Sequence, residues 1–285
     1  MQNTFWQPKY IDFTQNTLYN TVMKRGDAVR EFEGIQKMLG YTRRACADYN
    51  MIEEGDRIAI GVSGGKDSLA LLCFLAKLKR FYEKKYEIVA ITLDPGFPGA
   101  DFSNISTLCK ELEIEHHIIP TDIYEVVFNI RKEKFPCSLC ANMRRGGLNT
   151  AAVSLGCNKV ALGHHFDDTV ETLMMNLFIE GRFGCFSPVT YLDRIGVTVI
   201  RPLIYCPEKE IIGFINKNKI SVSPKYCPAD GTTRREDTKI MLEEMSKGDR
   251  YLKTRLFGAL ERSGVDGWSV HERQRRTKSS PQQNS

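Results

Sequence analysis

The strongest constraint on how this chain can fold is a strand that runs straight into a two-glycine turn and then into a helix. Residues 57–63 (RIAIGVS) are apolar and partly β-branched. Ser63-Gly64-Gly65-Lys66-Asp67-Ser68 follow, and apolar residues at helical spacing begin at Leu69. The same alternation continues downstream. Residues 86–94 (YEIVAITLD), 115–120, 159–163 (KVALG) and 197–203 (VTVIRPL) read as strands. Between and after them, residues 102–112, 141–155, 167–179 and 207–218 read as helices. Strands separated by helices of this length predict an α/β fold, a doubly wound and mostly parallel five-stranded sheet covered on both faces. Such sheets bind ligands outside the carboxyl ends of their strands. The loops at residues 63–68, 94–99 and 164–168 are therefore expected to carry the chemistry.

The first of these loops has the features of a phosphate cradle. Two glycines let successive N–H groups converge on an anion, and the following helix adds its free N–H groups. Lys66 supplies a charge, and Ser63 and Ser68 supply hydroxyls. It is not a Walker A loop: Ile60 stands where the first glycine would be, and Asp67 where Ser or Thr would follow the lysine. An acidic residue here suits a divalent ion that neutralises phosphate. After the fourth strand comes Gly163-His164-His165-Phe166-Asp167-Asp168, whose paired carboxylates suit Mg²⁺. The competing reading is helix capping, which needs no ligand.

The nine cysteines are the compositional anomaly. The N-terminus MQNTFWQPKY lacks a basic start and an apolar stretch, and the longest apolar run is the eight residues 69–76, so secretion and membrane insertion are not expected. The expected compartment is cytoplasmic and reducing, where clustered thiols serve metals more often than bridges. Cys137-Ser138-Leu139-Cys140 is the one close pair. It could be a redox disulfide, half of a zinc site or part of an iron–sulfur site. Cys157, Cys185, Cys206 and Cys227 are scattered; Cys227 lies in a proline-flanked loop, and Cys206, in IYCPEKE, reads as part of a packing segment but is the best rival as a further ligand.

The formal charge is only +5, so local clusters say more about partners. Lys77, Lys79, Arg80, Lys84 and Lys85 read as a solvated helix face. Arg131, Lys132, Lys134, Arg144 and Arg145 flank the cysteine pair, where RNA or phosphate contact is the better reading of Arg144 and Arg145. Arg273, Arg275, Arg276 and Lys278 lie in a Gln- and Ser-rich tail.

SGGKDS resembles the signature of the PP-loop ATP pyrophosphatases, and GHHFDD resembles their second motif. The resemblance implies an adenine nucleotide alpha hydrolase-like fold and cleavage of ATP between its α and β phosphates. ADYNMIEEGDRIAIGVSGGKDS, CSLCANMRRGGL, ALGHHFDDTVETL and VIRPLIYCPEKEI together resemble the tRNA 2-thiocytidine synthetase family, from about Tyr41 to Cys227. This second resemblance implies a set of site residues, partners and a reaction. By it, ATP contacts Ser63, Gly64, Gly65, Lys66, Asp67, Ser68, Leu93, Gly163 and Asp168. Catalysis falls to Asp168, Lys66 and Arg144, and Mg²⁺ to Asp67 and Asp168. Cys137, Cys140 and Cys227 hold a [4Fe-4S] cluster. The implied partners are tRNA, ATP and a sulfur donor (a cysteine desulfurase or sulfide), with a homodimer among the expected assemblies. The implied reaction adenylates the 2-oxo group of a tRNA cytidine, at anticodon-loop position 32, and replaces it with sulfur.

This chain departs from the family in two places. Cys227 is followed by Pro-Ala-Asp-Gly rather than by a second cysteine pair, and the loop DPGFPG after the second strand is short. The alternatives are a ligase of the lysidine synthetase type, in which an amine attacks the cytidine, and a non-enzymatic metal-binding module. The expected organisation is a helical lead-in over 1–49 and an ATP-binding catalytic domain over 50–205. A helical region over 206–262 carries the third cysteine, and a disordered basic tail occupies 263–285.

Overall fold

The structure is a computed structural model, which describes residues 30–132, 136–224, 226–227 and 234–269. Residues 1–29 of the expected lead-in, together with Lys134 and the basic tail residues from 270 onward, lie outside the described residues. Helix α1 (Ile35–Asp48) precedes β1 (Asp56–Gly61), α2 (Lys66–Leu78), β2 (Tyr86–Asp94), α3 (Ser103–Glu111) and β3 (Glu115–Pro120). A six-residue π-helical turn (Glu125–Ile130) leads to α4 (Pro136–Ser154), β4 (Lys159–Ala161) and α5 (Phe166–Phe178). Strands β5 (Val189–Leu192) and β6 (Val197–Ile200) come next, and then α6 (Glu208–Lys217), α7 (Arg234–Lys247) and α8 (Leu252–Ser263).

The sheet order is β3-β2-β1-β4-β6-β5, with every pairing parallel except β5 with β6. The sheet thus has six strands, not the expected five. The extra one, VTYL, is a short edge strand with half-exposed side chains, so no apolar run announces it. It turns back onto β6 through residues 193–196, where Gly196 adopts φ +74° and closes the hairpin on the Leu192 carbonyl.

Alternate strand residues feed two cores. Ile58, Ile60, Ile88 and Ala90 face a large cluster with α1, α2 and α6, whereas Ala59, Val89, Ile91 and Leu93 face Leu148, Ala151 and Ala152 of α4. Helix α4 sits so close to β1 that a Cβ on Gly61 would lie 2.6 Å from Leu148 Cδ2. Six of the nine cysteines are buried fillers of these cores. Cys206 is one of them: it lies beside Thr42, and burial pushes its thiol up to about 12, which removes it as a rival ligand.

Trp268, inside the expected tail, is fully buried. Its ring packs edge-on against Phe257, and its Nε1 donates to the Phe186 carbonyl at 2.8 Å. A single aromatic in a polar stretch is enough to fix the chain there. Among the described residues, no helix is long and apolar enough to cross a membrane.

Candidate functional site

Strand order reverses at β1, since β2 and β3 lie on one side of it and β4, β6 and β5 on the other. The loops leaving the carboxyl ends of β1 and β4 therefore open side by side, the place such sheets offer to a ligand. Both contain the motifs read from the sequence. They touch: a Cβ on Gly163 would lie 3.1 Å from the Asp67 carbonyl carbon and oxygen and 3.2 Å from the Ser68 nitrogen. A side chain here would press the two backbones apart by a few tenths of an ångström, so glycine suits the approach.

Gly64 takes φ +81°, the left-handed conformation a tight anion loop requires. Ser68 Oγ donates to the Gly65 carbonyl at 2.9 Å and accepts from Ser63 N–H at 3.1 Å, closing the loop on the first turn of α2. That helix starts at Lys66, three residues before its apolar face, so its free N–H groups belong to the loop. The Leu93 side chain is buried, with its methyl carbons 3.4 and 3.8 Å from where a Cβ on Gly147 of α4 would lie.

The charged groups form a connected set. Lys66 Nζ stands 2.9 Å from Asp67 Oδ2 and 3.0 Å from Glu208 Oε1. Glu208 also binds Lys239, at 2.9 Å. Burial works against its charge, but the hydrogen bonds from Lys239 and Lys66 win and hold it down to about 2. Asp168 divides its work. Its Oδ2 accepts from His165 N–H at 3.0 Å in a reciprocal cap of α5, and its Oδ1 meets Arg235 Nη1 at 2.8 Å. Capping and proximity to the phosphate loop are both true of it. Asp167 is structural: one oxygen accepts from Glu208 N–H and the other pairs with Lys253, each at 2.8 Å, tying α5 to α6 and α8. One turn along, burial first and then Asp168 push the Glu171 carboxyl up to about 7.

Asp67 Oδ1 is buried and has no hydrogen-bond partner, and it lies 3.6 Å from His165 Nε2. An orphaned carboxylate oxygen beside a phosphate loop fits a hard divalent cation. His165 itself is buried and caps α5. His164 packs against Phe186 at 4.8 Å, and burial followed by the Arg201 charge pulls it down to about 4, so its ring is neutral.

The C-x-x-C pair lies on the first turn of α4, which begins at Pro136, ahead of the helix start expected from sequence at 141. Cys137 is exposed, and Cys140 and Cys227 are half-buried. Burial raises the Cys140 thiol and Arg144 opposes this, while Cys227 and Cys137 are near enough to act on it too. The three cysteines are thus neighbours drawn from two segments. They do not form a closed cage: among the described residues, no three His, Cys, Asp or Glu side chains converge tightly enough to hold a metal ion. A set of three thiols without carboxylate fits an iron–sulfur cluster better than zinc or magnesium. The Cys227 segment is tethered by Tyr226, whose hydroxyl accepts from Asp101 N–H at 3.0 Å, and by Ser223, whose N–H donates to the Gly64 carbonyl at 3.0 Å.

Sequence reasoning missed Glu208, Arg235, Lys239 and Lys253. They sit on polar helices whose charges look like solvated faces, and only the folded chain turns them toward the two loops.

Residues 38–224 match the family model of the PP-loop domain. The chain is 43% identical over 231 residues to the tRNA-cytidine(32) 2-sulfurtransferase of Geobacter sulfurreducens, spanning 79% of this chain and 89% of that protein. It is 44% identical over 220 residues to the tRNA-cytidine(32) 2-sulfurtransferase of Geobacter metallireducens, spanning 76% and 86%. Among solved structures, the U34-tRNA thiolase NcsA from Methanococcus maripaludis with its [4Fe-4S] cluster shares the fold. Its TM-score is 0.63 at 23% identity, covering 79% of this chain and 78% of that one. Two nested motifs at one sheet reversal and this extent of identity lead to the same assignment: the chain belongs to the PP-loop family and, within it, to the tRNA-cytidine(32) 2-sulfurtransferases.

Proposed function

We propose that the protein is an ATP-dependent tRNA sulfurtransferase of the cytosol, which converts the 2-oxo group of cytidine 32 to a 2-thio group and releases AMP and pyrophosphate. The observation that carries this reading is the backbone contact between Gly163 and Asp67, which joins a phosphate-binding loop to an acidic loop at the reversal of strand order.

The nucleotide's β and γ phosphates lie on the N–H groups of residues 64–68, with Lys66 as their counter-charge. Asp67 and Asp168 would hold magnesium, which supplies charge neutralisation of the phosphates. The cytidine 2-oxygen attacks the α-phosphorus, the bond to the β-phosphoryl oxygen breaks, and pyrophosphate leaves with that electron pair. Donors fixed before the reaction stabilise the departing charge without reorganisation. Sulfide then adds to C2, AMP leaves with the former 2-oxygen, and the proton on sulfur is lost.

Cys137, Cys140 and Cys227 would hold a [4Fe-4S] cluster, whose iron not ligated by protein would supply a binding place for sulfide from the donor. Arg144, beside Cys140, favours the thiolate and offers a contact to RNA phosphate. The cysteine set favours sulfur over an amine as the second nucleophile, which sets the lysidine-type reaction aside.

The test is product analysis with tRNA and ATP labelled at the α-phosphate. Labelled AMP and a 2-thiocytidine are expected, and Asp168→Ala abolishes both. Labelled ADP, or AMP formation undiminished in Asp168→Ala, overturns the reading.

A further inference from the structure

Two cations of one helix face stand beside the phosphate loop, and the capping and packing contacts of the fold give neither a task. Arg235 and Lys239, one turn apart on α7, reach across to Asp168 and Glu208. Their side chains are 43% and 31% exposed, and partly exposed pairs of this kind contribute only about 0–1 kcal/mol to stability. Arg235 holds Asp168 with Nη1 alone; its Nη2 reaches only the Thr172 hydroxyl, at 3.4 Å. The guanidinium fork is thus half used, on a carboxylate the reaction needs. Lys66, the loop's own cation, shares Glu208 with Lys239, and the Asp168 that Arg235 holds stands 3.4 Å from the His165 ring, which faces Asp67 of the loop at 3.6 Å.

We propose that Arg235 binds the pyrophosphate half of the nucleotide: its guanidinium, which stands on Asp168 in this structure, transfers to β- and γ-phosphoryl oxygens when a polyphosphate competes for it. The inference rests on the reading that ATP occupies residues 63–68, and it adds a catalytic residue to that site. A polyphosphate offers the fork two coplanar acceptors of higher charge than one carboxylate oxygen, so the exchange is favourable. It also releases Asp168. The carboxylate becomes available to the metal in the same event that brings the phosphates in, and arrival of the nucleotide is thereby coupled to completion of the site. Arg235 is the eighth residue after Cys227, so the grip on the leaving group and the sulfur-handling thiol share one stretch of chain.

The experiment is equilibrium binding of inorganic pyrophosphate to the full-length protein in EDTA, by titration calorimetry, with urea unfolding as a check on the fold. Arg235→Gln is expected to weaken binding roughly ten- to a hundredfold, the loss of a charge-assisted hydrogen bond. Asp168→Asn is expected to tighten it several-fold by freeing Arg235. That gain is expected to disappear in the Arg235→Gln/Asp168→Asn double variant, which a purely structural role for Arg235 does not predict. Should Arg235→Gln unfold, Arg235→Lys takes its place, with a smaller loss because one donor remains.

Three results overturn the inference: no pyrophosphate binding by the wild type, wild-type affinity in the Arg235 variant, or a gain from Asp168→Asn that persists in the double variant. The last would assign the gain to removal of negative charge alone. Wild-type AMP formation from ATP and tRNA is measured alongside. Its absence would sink the reading of the ATP site, and its presence with an unaltered Arg235 variant would sink only the role of Arg235.

Discussion

Replacing Gly64 with alanine tests whether the phosphate loop is held by the segment that leads to Cys227. Two costs add. The left-handed φ of +81° penalises any Cβ by about 1–2 kcal/mol. The new Cβ would also lie 2.2 Å from Ser223 Oγ and 2.6 Å from Ser223 Cβ, overlaps that force the strap or the loop to move at about 1–3 kcal/mol. Gly64→Ala is therefore expected to destabilise the protein by about 2–5 kcal/mol. In a Ser223→Gly background the steric part vanishes and only the backbone part of about 1–2 kcal/mol remains. The hydrogen bond from Ser223 Oγ to Asn104 is lost in both arms of the cycle and cancels. Urea unfolding of the four proteins gives the coupling, expected at about 1–3 kcal/mol. A coupling below about 0.5 kcal/mol would mean that Ser223 does not press on the loop, and would refute the steric part of the cost.

Gly163→Ala keeps an ordinary backbone conformation but sets a methyl group 3.1 Å from the Asp67 backbone; AMP formation is expected to fall at least about tenfold as the two loops separate, and unchanged turnover would refute their contact. His116, held by Thr92 and Ser106, is pulled by burial from 6.5 to about 4. The unfolded chain therefore binds its proton first, so its contribution is constant above pH 6.5 and is lost as pH falls toward 4, by about 2 kcal/mol at pH 5. Denaturant titrations at pH 7.5 and 5 are expected to show that loss in the wild type and not in His116→Gln; equal slopes would exclude it.

The β1, β2 and β3 strands, the phosphate loop and the acidic loop were legible because each is local: a run of apolar residues, a pair of glycines, a cap. Residues 86–94 and 115–120 coincide with β2 and β3 for that reason. The edge strand β5 was hidden, since its half-exposed side chains carry no alternation to read. The ion pairs of Arg235 with Asp168 and Lys239 with Glu208 were also hidden, because they span 67 and 31 positions and depend on where the fold sets α7 against α5 and the start of α6. Cys206 shows the reverse case. In IYCPEKE it reads as part of a packing segment and as the best rival ligand, and its burial against α1 bears out the first of these.

The placement of the cysteines has a chemical consequence. An enzyme that receives mobile sulfur is at risk of scrambling it among its own thiols, since exchange follows the fraction present as thiolate. Here the thiols of Cys46, Cys73, Cys109, Cys185 and Cys206 are all pushed up by burial, four of them to about 12 and Cys73 beyond that. These five thiols are chemically insulated, so sulfur delivered to the site proposed at Cys137, Cys140 and Cys227 would find none of them ready to carry it inward.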